Sequence, residues 1–404
     1  MYLSVMPLKS SNESYTMSKR DILVFCGQVL GMCYEQGNFD EIKKEPEEKS
    51  IKRAMMCIQS GHHSGFEHVK LTFEISHISK IFAMILNNQS VYATSEKSGR
   101  YTVLNIEDPE EEALRKKWQE RFYDILHREY YEMFKAFYTK PNAKPEDTKK
   151  AIETAITKKA QENSRLITSP FAKTKMIYTI NIRQLNYLRY ELKEFISNAP
   201  NTFFNQKIKH EMQEFIEQTQ PWSLEDEGLN PGSKSITLPF FETVASRKEE
   251  FGENYCINYY LSFATFAQIQ RHRTCHYAIT IPSEKQYFIP PFIKEKEDLV
   301  KEWLDDCKRV TTLESFPQAT MILINERGRY EDFILKCYER LCGATQYEAA
   351  MVTKKQLERY IENVKSENAR EALKRINTGA RCTFGFKCTR PCMFGAKKAF
   401  DRKF

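Results

Sequence analysis

Apolar and polar residues are spaced along the first hundred positions in patterns typical of short helices and one strand. Residues 19–35 and 51–60 place apolar side chains three and four positions apart, as a helix with one buried face does. From 69 to 75 apolar and polar residues alternate, which is the period of a half-buried strand. Another helix is predicted from about 78 to 87.

A long helix is predicted to begin at Asp108-Pro109, because proline is favoured in the first helical turn. Lys140-Pro141 ends it, and a second charged helix is expected around 147–163. We interpret segment 105–163 as a helical insertion. Apolar residues recur at every fourth position on one face of the first helix, and we interpret this face as a packing surface rather than a cofactor site. These residues are Leu114, Trp118, Phe122, Leu126 and Tyr130.

Between 218 and 235 the chain is rich in Pro, Gly, Ser and acidic residues and has no periodicity, which predicts a linker. Its GLNPGSKS is not a phosphate-binding loop, because that motif has four residues between its glycines and Gly-Lys at its end. The predicted organisation is a first domain at 1–217 with the helical insertion at about 105–163, a linker at 218–235, a second domain at 236–380 and a cysteine-containing basic tail at 381–404.

The two halves of the chain contain similar short sequences in the same order. In the first half NNQS (87–90) follows FAMIL, and in the second half QRHR (270–273) follows FAQI. Further along, TINIR (179–183) corresponds to LINER (323–327), and a long helix is expected through Gln346. We predict two tandem, divergent copies of one fold, the second of them degenerate.

Composition narrows the classes of function. At 404 residues the chain exceeds the usual ~100–200 per domain, which agrees with two units. No apolar run reaches the ~18 residues of a membrane span, and the first residues lack the layout of a secretory signal, so a cytoplasmic location is predicted. Eleven cysteines, an odd number, indicate reduced thiols. The net charge of +7 suits a small anionic ligand, and no nucleic-acid-binding signature accompanies it.

Histidines are concentrated in two short segments, at 62–77 and 272–276. Histidines scattered through a core would not be distributed in this way. The first segment begins in GHHSGFEH (61–68). A metal site is the alternative there, but no Cys or Asp stands at zinc-like spacing, so no metal is predicted. Six of the eight histidines lie in or near the two segments: His62, His63, His68, His77, His272 and His276.

Two further motifs contain arginine. Ser98-Gly99-Arg100 is a short polar turn in which a planar guanidinium can bind phosphate bidentately. After Gln268, the run Arg271-His272-Arg273 places two like charges close together. They repel each other unless an anion lies between them, and a solvated basic surface is the alternative.

The order of these motifs resembles that of the flavin-dependent thymidylate synthases. That family has GHxSxxEH, RHRxxSxNxxSxRY, AR, TxNxR and LRxCxxAQxEI, and this chain has GHHSGFEH, EKSGRY, Ser164-Arg165, TINIR and ERLCGATQYEA. The resemblance implies an α+β fold built on a mixed sheet with helices. It also implies an enzyme that converts dUMP to dTMP without a protein nucleophile, with FAD as cofactor and with NADPH and methylenetetrahydrofolate as co-substrates.

Each half retains one part of the family's nucleotide site and lacks the other. The first half has Asn88-Gln89-Ser90 in place of RHR, and the second has Ile281 and Ser283 in place of the SxR turn. The expected catalytic residues are Arg340 and Arg271, because arginine beside the uracil carbonyls stabilises negative charge. The resemblance therefore implies one composite site with two walls: Gln268, Arg271 and Arg340 on the first, and Ser98, Gly99, Arg100 and Arg165 on the second.

The resemblance also implies where FAD binds and how the chain assembles. Family members are homotetramers, so a tandem chain is expected to form a homodimer that imitates the tetramer. Its ligands would be a small nucleotide and a folate, with no nucleic acid and no membrane. The expected flavin contacts are His62, Ser64, Glu96, Asn181 and Arg183 in the first half and Arg271, His272 and Arg273 in the second.

Several alternatives remain. A related flavoenzyme could modify C5 of another uracil nucleotide, for instance by hydroxymethylation, and a catalytically silent flavin- or nucleotide-binding regulator would retain the same motifs. Cys275-His276 could supply a nucleophile, since nearby arginines favour a thiolate. In the tail, Cys382, Cys388 and Cys392 could bind zinc or an iron–sulfur cluster with a fourth ligand, although reduced thiols are the prediction.

Overall fold

The chain forms two compact units. Unit 1 comprises Met1–Lys97 and Lys173–Leu238, and unit 2 comprises Ser98–Ala172 and Pro239–Phe404. None of the helices in the described ranges is both long and apolar enough to cross a membrane. The computed structural model describes residues 1–5, 17–89, 92–100, 102, 105–232, 239–241, 248–271, 275–377, 379–388, 392–393, 402 and 404.

Helices and strands are intermixed along the described residues, as the sequence predicts. The strands are β1 (Tyr2–Val5), β2 (Lys70–Ser79), β3 (Tyr92–Glu96), β4 (Lys173–Asn181), β5 (Glu250–Phe251), β6 (Asn254–Ser262), β7 (His276–Thr280) and β8 (Met321–Arg329). The helices are α1 (Lys19–Gly31), α2 (Phe39–Ile42), α3 (Glu47–Gln59), α4 (Lys80–Leu86), α5 (Pro109–Tyr138), α6 (Pro145–Ser164), α7 (Ile182–Asn198), α8 (Phe203–Gln218), α9 (Phe263–Ile269), α10 (Glu297–Arg309), α11 (Tyr330–Arg340), α12 (Tyr347–Asn363) and α13 (Glu367–Ile376).

Unit 1 is built on a four-stranded antiparallel sheet in the order β1-β2-β4-β3. Strand β2 buries Leu71, Phe73 and Ile75 on one face, as the alternation of apolar and polar residues predicts. His77 has a left-handed backbone, with φ of 58°, where a bulge shifts the register between β2 and β4. The strand ends at Ser79, whose hydroxyl caps the N-terminus of α4.

Unit 2 contains a second four-stranded sheet with the corresponding order β5-β6-β8-β7. In each sheet the last strand lies between two earlier strands and runs opposite to both of them. The two earlier strands point the same way but do not pair with each other. The strand pairings within the described residues are therefore antiparallel. The prediction of a mixed sheet, with both parallel and antiparallel pairings, is wrong for these residues.

Helices α5 and α6 pack within unit 2, where they share an apolar core with the second half of the chain. Trp118 of α5 meets Trp303 of α10 edge-on with ring centroids 4.9 Å apart, and Phe122 meets Phe292 at 5.1 Å. All four rings are buried, which confirms the predicted packing role of the apolar face. The grouping differs from the predicted insertion in a first domain, because this face finds its apolar partners among residues 287–310.

The segment predicted as a linker is instead packed in unit 1 over most of its described part. Leu224 and Leu229 are fully buried, and the carboxylate of Glu225 lies 3.2 Å from the buried guanidinium of Arg189 on α7. These contacts order a segment whose composition alone is typical of a flexible connection. Residues 233–238 lie outside the described ranges.

Candidate functional site

Unit 2 brings residues from the two predicted walls together around one loop, which connects α11 to α12. Arg165 follows the last turn of α6 and is buried. Its Nη2 atom donates to Oε1 of Gln346 at 2.7 Å. The backbone amide of Gln346 donates to Oε1 of Gln268 at 3.3 Å. Gln346 therefore links Arg165 of one wall to Gln268 of the other.

The same loop region receives two further arginines. Nη2 of Arg100 donates to the carbonyl oxygen of Ala344 at 3.0 Å, and Nη2 of Arg340 donates to that of Gln268 at 2.9 Å. Helix α11 ends at Arg340, and the next helix begins only after Gln346. The long helix expected through Gln346 is therefore wrong, because an extended backbone there, with φ of −55° and ψ of 140°, interrupts it.

A buried carboxylate accompanies these cations. Glu162 on α6 accepts hydrogen bonds from Nε of Arg100 at 2.5 Å and from Nζ of Lys159 at 3.1 Å. Burial alone would raise the pKa of this carboxylate, but the charges of Lys159, Arg100 and Arg165 hold the pKa well below its ordinary value. Glu162 is therefore ionised, and it neutralises only part of the surrounding positive charge.

The arginines lie close enough to perturb one another. The pKa of Arg165 falls to about 10, mainly through burial and against the attraction of Glu162, and repulsion from Arg100 and Arg271 contributes. Burial, together with repulsion from the same two arginines, also lowers the pKa of Arg340. The Nε atom of Arg340 is buried and has no hydrogen-bond partner among the described residues. An anion bound among the four guanidinium groups would therefore stabilise them.

The turn Ser98-Gly99-Arg100 lies beside this cluster. The carbonyl oxygen of Ser98 accepts hydrogen bonds from the backbone amide of Thr102 at 3.0 Å and from its hydroxyl at 2.8 Å, which closes the turn. Gly99 is buried within it, and Arg271 is partly exposed. The predicted flavin residues His272 and Arg273 lie outside the described residues.

Sequence reasoning missed Lys159, Glu162 and Gln346 as neighbours of the site. Lys159 and Glu162 lie three residues apart on α6, and Arg165 follows three residues later. Residues at this spacing share one face of a helix, so the charge pattern leading to Arg165 was the available signal. Gln346 belongs to the TQYE motif, but only the folded loop shows that it contacts Arg165.

Three of the predicted flavin residues of the first half are accessible in unit 1, near the turn at Ser64–Glu67 and the start of α7. Arg183 pairs with the carboxylate of Glu67 and so joins the GHHSGFEH and TINIR motifs. Nδ1 of His62 lies 2.7 Å from Oη of Tyr34. Ser64 is exposed, and His62 and Arg183 are partly exposed. These side chains can therefore reach a ligand.

The other two predicted flavin residues of this half have structural partners. The carboxylate of Glu96 forms a buried ion pair with Lys80 and accepts a hydrogen bond from Nδ2 of Asn87 at 3.1 Å. Oδ1 of Asn181 caps α7 by accepting from the backbone amide of Gln184 at 2.7 Å. Both side chains stabilise unit 1 itself.

Comparison with known proteins finds similarity over part of the chain. The family model described as thymidylate synthase complementing protein matches residues 15–194. Flavin-dependent thymidylate synthases of Pyrococcus furiosus and Pyrococcus abyssi are 28% and 27% identical to the chain over 155 and 156 residues. Through this region the chain is similar to the flavin-dependent thymidylate synthases. The matches cover 37% of this chain and 56% of each relative, so the chain spans about half the length of these relatives.

Two solved structures are similar to part of the chain. The flavin-dependent thymidylate synthase of Helicobacter pylori, complexed with FAD and dUMP, is 19% identical, with 50% of this chain and 94% of that chain covered and a TM-score of 0.28. The UMP/dUMP methylase of Streptomyces cacaoi, bound to 5-bromo-dUMP, is 14% identical, with coverages of 55% and 91% and a TM-score of 0.29. The similarity to flavin-dependent thymidylate synthases rests on the sequence match.

The region matched to the flavin-dependent thymidylate synthase family contains only one wall of the site. Residues 15–194 include the Ser98-Gly99-Arg100 turn and Arg165. Gln268, Arg271 and Arg340 lie beyond this range. Their place in the candidate site depends on the contacts within unit 2 and on their own motifs.

Proposed function

We propose that this chain is a flavin-dependent thymidylate synthase that converts dUMP to dTMP, with FAD as cofactor and with NADPH and methylenetetrahydrofolate as co-substrates. The observation on which the proposal depends is that four arginines from the two walls lie close enough in unit 2 to interact electrostatically, with the carboxylate of Glu162 beside Arg100 and Arg165. The cluster has more positive than negative charge, and a nucleotide phosphate is the complementary group.

A phosphate fits this cluster for two reasons. Arginine's planar fork binds phosphate bidentately, and a dianion offsets cationic charge that burial makes costly. The buried Nε of Arg340 has no hydrogen-bond partner among the residues described, so a nucleotide oxygen could accept a hydrogen bond from it. Gln268 lies beside Arg340, because the main-chain carbonyl oxygen of Gln268 accepts a hydrogen bond from Nη2 of Arg340. Its side-chain amide can hydrogen-bond to a uracil edge.

Arg271 and Arg340 would act at the uracil ring. A guanidinium near the uracil carbonyl oxygens stabilises the negative charge that develops as C5 becomes nucleophilic, and it does so most effectively where water is excluded. When bound, FAD would supply the redox chemistry of the reaction. This chain would hold FAD partly through His62, Ser64 and Arg183, which offer an imidazole, a hydroxyl and a guanidinium at the surface of unit 1.

We also propose that the chain contains two divergent copies of the family fold. The corresponding strand orders β1-β2-β4-β3 and β5-β6-β8-β7 support this proposal. So do α4 and α9, which each have 7 residues, follow the second strand of their sheet and begin at a serine N-cap. A chain with two copies and one composite site corresponds to half of a family tetramer, so we propose a homodimer.

The purified protein tests the proposal. We expect it to be yellow from bound FAD, to lose its colour when NADPH is added, and to bind dUMP. Expression of the chain should restore growth of a thymidine-requiring strain. Soluble, flavin-loaded protein that does not restore growth would indicate another uracil nucleotide as substrate or a silent regulator. Colourless protein that takes up no added FAD would contradict the proposal.

A further inference from the structure

A fifth arginine, which belongs to none of the family motifs, lies in the same cluster. Arg402 is buried in unit 2, and its Nη1 atom donates to the carbonyl oxygen of Gly343 at 2.6 Å. The next carbonyl of that loop, at Ala344, accepts from Nη2 of Arg100 at 3.0 Å. The two arginines therefore bind neighbouring carbonyl groups of one loop.

Arg402 adds to the excess positive charge of the cluster. Its pKa falls to about 10, mainly through burial and against the attraction of Glu162, and repulsion from Arg100 contributes. Burial also lowers the pKa of Lys159, and repulsion from Arg100 and Arg402 adds to that fall. Glu162 is thus the carboxylate shared by four neighbouring cations: Arg100, Lys159, Arg165 and Arg402.

Phe404 attaches this segment to α5. Its ring stacks on Phe134 with centroids 5.5 Å apart and planes 4° apart, and it meets Tyr130 edge-on at 5.1 Å. Nζ of Lys159 lies 5.9 Å from the centre of the same ring. Phe134 and Phe404 are buried, so the aromatic contact restricts the position of Arg402, two residues earlier.

We propose that Arg402 is a further phosphate-binding residue of the nucleotide site, held in position by Phe404. This inference rests on the proposed function, in which the anion is the phosphate of dUMP. It gives α5 and α6 a role in the site, because α5 binds Phe404 and α6 supplies Lys159 and Glu162. It also makes the site selective for phosphorylated over unphosphorylated deoxyuridine.

Binding measurements on Arg402→Gln test the inference. By titration calorimetry, dUMP should bind about 10- to 100-fold more weakly, the range for loss of a hydrogen bond to a charged group. Affinity for deoxyuridine, followed by ligand-observed NMR, should stay unchanged because deoxyuridine has no phosphate. Arg402→Lys keeps the charge but loses the planar fork, so its dUMP affinity should be intermediate. The control is Arg309→Gln, an exposed arginine of unit 2 paired with Glu110, which should bind dUMP normally.

A second pair of variants tests whether Phe404 holds Arg402 in position. Phe404→Ala should weaken dUMP binding in the same direction as Arg402→Gln. Phe386→Ala removes an exposed ring and should leave binding unchanged.

The outcomes separate the inference from the proposed function. If the unmodified protein does not bind dUMP, the proposed function fails. If it binds dUMP and Arg402→Gln binds equally well, the inference is wrong while the proposed function stands. Equal loss of dUMP and deoxyuridine affinity in both Arg402 variants would also overturn it, since that pattern indicates a structural role.

Discussion

Arg165 and Gln346 are joined by a 2.7 Å hydrogen bond although 181 residues separate them in the sequence. One comes from the first half of the chain and the other from the second, and both lie in unit 2. The family resemblance leaves open whether the two walls of a site come from one chain or from two. The contacts within unit 2 favour a site formed inside a single chain.

Mixing two inactive variants should therefore restore nothing. Arg100→Ala and Arg271→Ala each remove a cation from a different wall, and loss of one partner from a buried charged contact costs about 2–5 kcal/mol of binding free energy. Co-expressed with different tags and purified as mixed dimers, the two variants should stay inactive and bind no dUMP. One active site per mixed dimer would show that the walls come from different chains.

Titration should give one nucleotide per chain. The sequence contains one Ser98-Gly99-Arg100 turn and one Arg271-His272-Arg273 run, and a site needs both. Calorimetry with dUMP and absorbance titration with FAD should each give a stoichiometry near one. Two bound nucleotides per chain would contradict the composite site.

Replacing Glu162 by Gln should strengthen dUMP binding and weaken the fold. The carboxylate competes with phosphate for Arg100 and Lys159, and one charge at a distance of several ångströms is worth roughly 1–2 kcal/mol, about tenfold or more in affinity. Loss of a partner from a buried ion pair should lower the free energy of unfolding by about 3–5 kcal/mol. Calorimetry and thermal unfolding measure the two effects.

The control for this variant is Glu153→Gln, which lies on the same helix and pairs with His127 near the surface. Its dUMP affinity should not change. Weaker dUMP binding by correctly folded Glu162→Gln would mean that the carboxylate positions Arg100 rather than competing with the ligand.

Acid should weaken the ion pair of Arg53 and Glu45 in unit 1. Nη1 and Nη2 of Arg53 lie 2.7 and 2.8 Å from the two carboxylate oxygens, and these bonds lower the pKa of Glu45 to about 2. An acid with a lowered folded pKa contributes stability above its unfolded pKa of 4.5 and loses it as the pH falls towards 2. The contribution is at most about 3 kcal/mol.

Urea unfolding at pH 7 and pH 3 measures this contribution. Glu45→Gln should be less stable than the unmodified protein at pH 7, and the difference should shrink at pH 3. Glu47→Gln, whose carboxylate forms an exposed pair with Arg20, should change stability by less than about 1 kcal/mol at either pH. A difference for Glu45→Gln that is the same at both pH values would refute the linkage.

Cys275→Ala should keep most of its activity. Its thiol is buried and lies 3.2 Å from Oη of Tyr255, which also donates to Glu326 at 2.8 Å. The proposed flavin route needs no protein thiolate. Loss of turnover with FAD and dUMP still bound would favour the nucleophilic cysteine. Arg340→Gln, which should lose activity, serves as the comparison.

Local patterns in the sequence predicted local structure well. The alternation in β2 and the apolar face of α5 depend on which side of an element is buried, and that information lies within a few residues. The motifs similarly indicated Arg100 and Arg165. The antiparallel pairing of each sheet was not predictable from these patterns, because pairing depends on how distant strands meet.

Charge partners were the least predictable part of the site. Glu96 matches a flavin-binding position of the family motif, yet its carboxylate forms a buried pair with Lys80. Arg402 lies in a basic tail, and only the fold shows it beside Gly343, 59 residues earlier. Such pairs depend on three-dimensional proximity, which neither spacing nor motif order contains.

The placement of α5 in unit 2 has a consequence for synthesis of the protein. Arg121 of α5 pairs with Glu302, 181 residues later, beside the buried Trp118–Trp303 contact. At about 5–20 residues per second, roughly 10–40 s of translation separate the two. During that time the part of the α5 apolar face that packs against residues 287–310 lacks its native cover on the nascent chain. We therefore expect this part of the helix to be exposed to chaperone binding or aggregation before unit 2 closes.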